Sequence, residues 1–155
     1  MPVVYLGIGT NIGVRQENYE RAVSLIQAVP GIKLIERSAV YITRPESDIP
    51  QEDYLNGVLK IETDISPEEL LALFKGIERK MGRKPSEVNA PRVIDIDILF
   101  YGKQIIKSAK LTIPHPGLGK RYFVLRGMND IAPDVMHPET GKTMHELYAG
   151  LKERE

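Results

Sequence analysis

The hydrophobic and polar positions of the chain follow two periods, which together predict strands and amphipathic helices. Apolar runs rich in branched and aromatic residues predict strands over 3–8, 32–42, 54–62 and 93–101. Apolar residues at helical spacing predict helices over 16–29 and 67–81. The order β-α-β-β-α-β is that of a ferredoxin-like α+β fold, an antiparallel sheet with helices packed on it.

Local signals support the second helix and extend the pattern to the rest of the chain. Ser66 is a typical N-cap, Pro67 suits the first turn, and Gly82 suits the end. Downstream, the pattern predicts a C-terminal extension of two short strands and two helices, over 105–106, 111–113, 121–129 and 144–151. The length of 155 residues, without repeats or linkers, predicts a single domain over 1–155.

Composition excludes several classes of function. The chain has no cysteine, so a disulfide framework, a thiolate zinc site and a cysteine nucleophile are all excluded. Lys+Arg and Asp+Glu both number 21, and this balance argues against non-specific nucleic-acid binding. No apolar run reaches the ~20 residues of a membrane span, and the N-terminus is unlike a signal peptide. We therefore expect a cytoplasmic protein with no nucleic-acid or membrane partner.

The predicted strand over 93–101 carries two carboxylates. Successive side chains of a strand point to opposite faces, so Asp95 and Asp97 share one face, and Ile94, Ile96 and Ile98 share the other. Two neighbouring anions in an apolar row repel each other and lose hydration unless a cation compensates. Mg²⁺ suits such a site, because it takes carboxylate, phosphate and water oxygens. A half-exposed strand with two solvated aspartates fits the same spacing.

The residues upstream of the aspartates favour phosphate chemistry. A polar run over 83–89 leads to Ala90, Pro91 and Arg92 at the start of the strand. The planar guanidinium of arginine binds phosphate oxygens in a bidentate way. Metal-binding carboxylates beside a basic loop are what phosphoryl transfer requires.

The stretch over 91–102 reads Pro-Arg-Val-Ile-Asp-Ile-Asp-Ile-Leu-Phe-Tyr-Gly. It resembles the P-R-x-x-D-[LIV]-D-[LIVM]-[LIVM] signature of the 6-hydroxymethyl-7,8-dihydropterin pyrophosphokinases, and the resemblance extends over nearly the whole chain. It implies an enzyme of folate biosynthesis that transfers pyrophosphate from ATP to the pterin hydroxymethyl group, giving AMP and the pterin diphosphate. It also implies two Mg²⁺ ions, ATP as co-substrate, and a monomer or homodimer.

The resemblance also implies site residues. Asp95 and Asp97 would bind the metal ions. The catalytic residues would be Arg83, Arg92 and Asp97. The ATP-binding residues would be His115, Arg121, Glu78, Lys110 and Thr112. The pterin-binding residues would be Thr43, Pro45, Tyr54, Asn56 and Phe123. The basic loop from Arg83 to Arg92 would act as a lid, and Gly-Thr-Asn-Ile-Gly over 9–13 matches a mobile flap near the substrates.

Two segments depart from the family pattern. Val88 and Asn89 stand where many members carry a basic residue and then an aromatic one, and the lid is one residue shorter. The substrate loop reads Thr-Arg-Pro-Glu-Ser over 43–47, where a Pro-[LV]-Gly run is usual. These differences place the lid and the 43–53 loop among the features that distinguish this chain.

Two other functions fit a β-α-β-β-α-β chain. A non-catalytic module would bind a small molecule or a metal ion without releasing AMP. An RNA-binding module would stack bases on aromatic residues of the sheet and bind RNA in a salt-dependent way without Mg²⁺. The balanced charge and the aspartates on the sheet count against the RNA-binding function.

Overall fold

The structure is a computed structural model that describes residues 1–45, 49–83, 91–119 and 121–152. The strands are β1 (Val3–Thr10), β2 (Ile32–Arg37), β3 (Tyr41–Thr43), β4 (Tyr54–Thr63), β5 (Asp95–Tyr101), β6 (Ile106–Lys107) and β7 (Thr112–Ile113). The helices are α1 (Arg15–Gln27), α2 (Pro67–Lys80), α3 (Tyr122–Ile131) and α4 (Met144–Lys152). Across these described ranges, no helix has the length and apolar character needed to cross a membrane.

The main sheet is antiparallel and has β1 and β4 at its centre. Its order is β2-β4-β1-β5, and β3 also pairs with β4. β6 and β7 form a separate two-stranded sheet. The prediction of an antiparallel sheet with helices packed on it is confirmed, and the Ser66 side chain accepts a hydrogen bond from the backbone of Glu69 as the N-cap of α2.

The prediction of a single strand over 32–42 is wrong, because the structure divides this segment into β2 and β3. The Ser38 hydroxyl accepts a hydrogen bond from the backbone N–H of Val58, so this N–H bonds to a side chain instead of to a backbone carbonyl of a neighbouring strand. The backbone N–H of the next residue, Ala39, donates a hydrogen bond to the Asp130 carboxylate on α3 instead of to a strand. The interruption therefore depends on a helix that follows it by 91 positions in the sequence.

Two apolar cores lie on opposite faces of the sheet. Helices α1 and α2 pack on one face, through Tyr19 and Ile26 and through Leu70 and Phe74. Helices α3 and α4 pack on the other face, around Leu125 and other apolar residues. β1 and β5 are buried on both sides along most of their length, and the two carboxylates of β5, Asp95 and Asp97, lie at its first end.

Candidate active site

A cavity opens on the α3 side of the sheet, and two glycines of β1 form its floor. Gly9 pairs with Asn56 on one side and Asp95 on the other, and Gly7 pairs with Asp97 of β5. Because neither glycine has a side chain, the space between β4 and β5 stays open. Counted out to the open mouth and including the solvent there, the empty space amounts to about 920 Å³.

The two aspartates predicted to share a face both line this cavity. The Asp95 Oδ1 atom is 3.0 Å from Arg83 Nη1 and 3.4 Å from Arg92 Nη1, so its charge is compensated. Among the described residues, no cationic or histidine nitrogen lies closer to Asp97 than His115 Nε2, at 3.8 Å. Loss of hydration within the cavity, followed by the neighbouring Asp95 charge, raises the pKa of Asp97 from 3.8 to about 7. Asp97 is thus the carboxylate that most needs an added cation.

Behind β5, a buried glutamate supports the aspartates from outside the cavity. Glu78 of α2 is 2% exposed and accepts a hydrogen bond from the backbone N–H of Ile96, the residue between the two aspartates. Its Oε2 atom is 2.8 Å from Arg83 Nη1, so Arg83 connects Glu78 to Asp95. Arg83 and Glu78 are therefore next to the site but do not line it.

A histidine and an arginine face the carboxylates from the turn before α3. His115 Nδ1 accepts a hydrogen bond from the N–H of Gly117, which leaves the proton of a neutral imidazole on Nε2, facing Asp97. Burial, and then the Arg121 charge, lower the pKa of His115, so the ring is neutral near pH 7. A Cβ at Gly117 would lie 3.0 Å from Arg121 Nε, so this glycine gives the guanidinium room. These two side chains can donate hydrogen bonds to an anion.

Another wall of the cavity is built from aromatic and amide groups. It contains the predicted pterin-binding residues Thr43, Pro45, Tyr54, Asn56 and Phe123. The Asn56 amide donates to the Thr43 hydroxyl, which fixes its orientation. Its Oδ1 atom faces Gly9, where an added Cβ would approach to 2.8 Å. This wall can bind a flat ring that offers hydrogen-bond donors at one edge.

Most predicted site residues meet in the cavity, and four do not. Arg83 and Glu78 lie behind β5, and Lys110 and Thr112 lie near the β6–β7 sheet, away from the lining. The predicted lid falls largely on 84–90, which lie outside the described residues, as do residues 46–48 of the substrate loop. The predicted flap over 9–13 begins with three buried residues, Gly9, Thr10 and Asn11.

The structure adds cavity residues that the sequence prediction missed, among them Gly7, Gly9, Arg44, Gln51 and Leu99. The two glycines left a signal in the sequence, since alternate glycines in an apolar strand indicate close approach by another group. Arg44 and Gln51 fall in the predicted substrate loop over 43–53, and Leu99 is identified only by its neighbours in space.

The oxygen atoms of Asp95 and Asp97 suit a hard divalent cation whose other ligands come from a bound substrate or from water. Asp95 and Asp97 offer carboxylate oxygens to the same cavity, and Asp97 is about one-third exposed within it. Within the described ranges, no group of three or more His, Cys, Asp or Glu residues could hold a metal ion. A cation at the pair would need oxygens from a ligand or from water, which is how Mg²⁺ is commonly bound in proteins.

Together, the fold and the cavity define a small protein with an antiparallel sheet and packed helices, whose cleft combines two carboxylates and basic side chains with aromatic and amide groups. The chain belongs to the 7,8-dihydro-6-hydroxymethylpterin-pyrophosphokinase (HPPK) family, whose sequence profile matches residues 5–133. The resemblance seen in the sequence is thereby confirmed.

Two relatives and one solved structure show how far the similarity extends. Folic acid synthesis protein fol1 of Schizosaccharomyces pombe is 41% identical over 144 residues, which are 93% of this chain and 20% of fol1. The 2-amino-4-hydroxy-6-hydroxymethyldihydropteridine pyrophosphokinase of Methylorubrum extorquens is 38% identical over 151 residues, 97% of this chain and 94% of that protein. The wild-type HPPK-DHPS of Plasmodium falciparum, solved with pteroate, superposes with a TM-score of 0.81. It is 18% identical, and the match covers 99% of this chain and 43% of that one, so it shows the fold alone.

Proposed function

We propose that this chain transfers pyrophosphate from ATP to the hydroxymethyl group of 6-hydroxymethyl-7,8-dihydropterin, giving AMP and the pterin diphosphate in folate biosynthesis. The observation that carries the proposal is the meeting, in one cavity, of paired carboxylates and basic groups with an aromatic and amide wall. Relatives named for this pyrophosphokinase, one of them matched over 94% of its length, support it.

The carboxylate side of the cavity suits the phosphates. When bound at Asp95 and Asp97, Mg²⁺ would neutralise charge on phosphate oxygens and hold them in place. Arg92, Arg121 and the neutral His115 would donate hydrogen bonds to the same oxygens, because all three line the cavity. Asp97 would also accept the proton of the pterin hydroxyl, because its carboxylate lines the same cavity.

The other wall suits the pterin. Tyr54 and Phe123 offer aromatic faces to a flat ring, and offset stacking adds about 0.5–1.5 kcal/mol beyond area burial. Asn56 Oδ1 can accept from the N–H groups at the pterin amide edge, since the Asn56 NH₂ group already donates to Thr43. Lys110 and Thr112, which do not line the cavity, stay predictions for ATP binding.

We further propose several finer features of the enzyme. Two Mg²⁺ ions are bound jointly by the aspartates and the ATP phosphates. The chain acts as a single domain, as a monomer or homodimer in the cytoplasm. The main sheet is the ferredoxin-like sheet, with its second strand divided into β2 and β3, and the order β2-β4-β1-β5 supports this.

Gly9→Ala tests the pterin wall. The added methyl group would meet Asn56 Oδ1 at 2.8 Å, so the amide must move from the position that Thr43 fixes. We expect the KM for the pterin to rise about tenfold, the effect of losing one hydrogen bond, with kcat changed less than about threefold. Gly7→Ala is the matched comparison, because it adds the same methyl group to the cavity floor but meets Leu99 at 3.4 Å, an ordinary contact, and does not displace Asn56. Equal pterin KM values for the Gly9 and Gly7 variants would contradict this placement of the pterin edge.

The assay that tests the function is nucleotide release by the purified chain. With ATP, Mg²⁺ and 6-hydroxymethyl-7,8-dihydropterin, we expect AMP at a rate that requires all three. Release of ADP, or no nucleotide product while ATP still binds, would reject pyrophosphoryl transfer and favour a binding module.

A further inference from the structure

A buried asparagine, Asn11, lies at the end of β1 and uses its whole side-chain amide. Its Nδ2 group donates to Gln51 Oε1 at 2.7 Å and to the Glu52 carbonyl at 3.0 Å. Its Oδ1 atom accepts from the backbone N–H of Arg92 at 2.8 Å, and its own N–H donates to the Arg92 carbonyl at 3.1 Å. Asn11 is 1% exposed and does not line the cavity.

The partners leave only one orientation for this amide. The Glu52 carbonyl can only accept a hydrogen bond, and the Arg92 N–H can only donate one. The nitrogen of Asn11 must therefore face the 49–53 loop, and its oxygen must face Arg92. The Asn11 amide nitrogen bonds to the 49–53 loop, and its oxygen bonds to the Arg92 backbone. A substitution can therefore remove the hydrogen bonds to the loop and keep the one to Arg92.

The two segments form different walls of the cavity. The 49–53 loop contributes Gln51 and leads directly into Tyr54 of β4. Arg92 lines the cavity on the other side, 3.4 Å from Asp95 of β5. Since β1 lies between β4 and β5, Asn11 at its end connects both walls through one side chain.

We propose that Asn11 is a positioning residue that sets the aromatic, pterin-side wall and Arg92 at a fixed distance from each other. The inference rests on the proposed function, because it assigns the two walls to the pterin and to ATP. A residue that contacts neither substrate then controls both the affinity for one and the rate of transfer from the other.

Two substitutions separate the halves of the role. Asn11→Ala removes all the side-chain hydrogen bonds, so we expect a pterin KM about tenfold higher and a kcat about tenfold lower. Asn11→Asp keeps an acceptor for Arg92 but turns an oxygen toward Gln51 Oε1 and the Glu52 carbonyl. We expect it to raise the pterin KM about tenfold and to leave kcat within about threefold.

Thr10→Val is the matched control. Thr10 is equally buried, and its hydroxyl donates to the Val93 carbonyl at 2.6 Å without contacting the 49–53 loop. We expect it to lower the thermal midpoint but to leave the pterin KM within about twofold of wild type. If both Asn11 variants keep kcat and pterin KM within about twofold of wild type, or if Thr10→Val raises the pterin KM as much as Asn11→Ala, the proposal is overturned.

Amide hydrogen exchange tests the same role without the reaction. Relative to the Leu6 amide in the centre of β1, the Arg92 amide should exchange at least about tenfold faster in Asn11→Ala. It should exchange within about threefold of wild type in Asn11→Asp. An unchanged Arg92 amide in Asn11→Ala overturns the positioning role. Failure of the wild-type chain to release AMP would reject the proposed function alone, since the exchange result still decides the inference.

Discussion

Asp97→Asn should reduce turnover at least about a thousandfold while the chain stays folded. The substitution keeps the shape of the side chain but removes a carboxylate that lines the cavity. Among the described residues, the cationic or histidine nitrogen nearest to that carboxylate is His115 Nε2, at 3.8 Å. Steady-state AMP release measures the loss, and Mg²⁺ titration followed by thermal denaturation measures the cation site directly. We expect Mg²⁺ to raise the thermal midpoint of wild type and to have little effect on the variant.

The same substitution should stabilise the metal-free fold in a pH-dependent way. The pKa of Asp97 is about 7 in the folded chain, above its ordinary 3.8, so the folded chain retains a proton that the unfolded chain has released. Ionisation therefore destabilises the wild type increasingly as pH rises from about 4 to about 7. In EDTA, Asp97→Asn should raise the thermal midpoint by about 2–4 °C at pH 8, with no gain near pH 4.

Asp64→Asn is the control for the turnover and thermal-midpoint measurements, because Asp64 is exposed and follows β4 away from the cavity. It should keep kcat within about twofold of wild type. Near-normal turnover in Asp97→Asn, or an equal loss in Asp64→Asn, would remove Asp97 from the reaction.

Arg92→Ala should lower kcat about a hundredfold and change the pterin KM by less than about threefold. Arg92 lines the carboxylate side of the cavity, and its Nη1 atom is 3.4 Å from Asp95, so its charge acts where the phosphates would lie. Arg92→Lys keeps the charge but loses the bidentate fork, and we expect it to restore only part of the rate.

Arg79→Ala provides the comparison for a lost arginine, because Arg79 is exposed in the last turn of α2 and does not line the cavity. Its kcat should stay within about twofold of wild type. If Arg92→Ala raised the pterin KM and left kcat intact, Arg92 would belong to the pterin wall instead.

The sequence predicted the elements of the fold where periodicity alone determines them. Strand β5 with its two aspartates and helix α2 with its Ser66 cap follow from patterns within about fifteen residues. The break between β2 and β3 was missed, because Ser38 and Asp130 of α3 create it through tertiary contacts. Such contacts leave no periodic signal.

The candidate site shows the same division. The signature over 91–102 located Asp95, Asp97 and Arg92, and all three line the cavity. The amide network of Asn11 could not be predicted, because its partners are 40 or more positions away in sequence. The positions of Arg83 and Glu78 behind β5 likewise depend on how α2 packs against that strand.

The central claim is that this chain moves a pyrophosphoryl group to a pterin alcohol. Phosphorus NMR of the completed reaction with ATP, Mg²⁺ and 6-hydroxymethyl-7,8-dihydropterin tests it most directly, because the products carry distinct phosphorus signals. We predict one signal from AMP and a coupled pair of signals from the pterin diphosphate, in equal amounts. Signals of ADP with a pterin monophosphate, or of ATP unchanged, would contradict the claim.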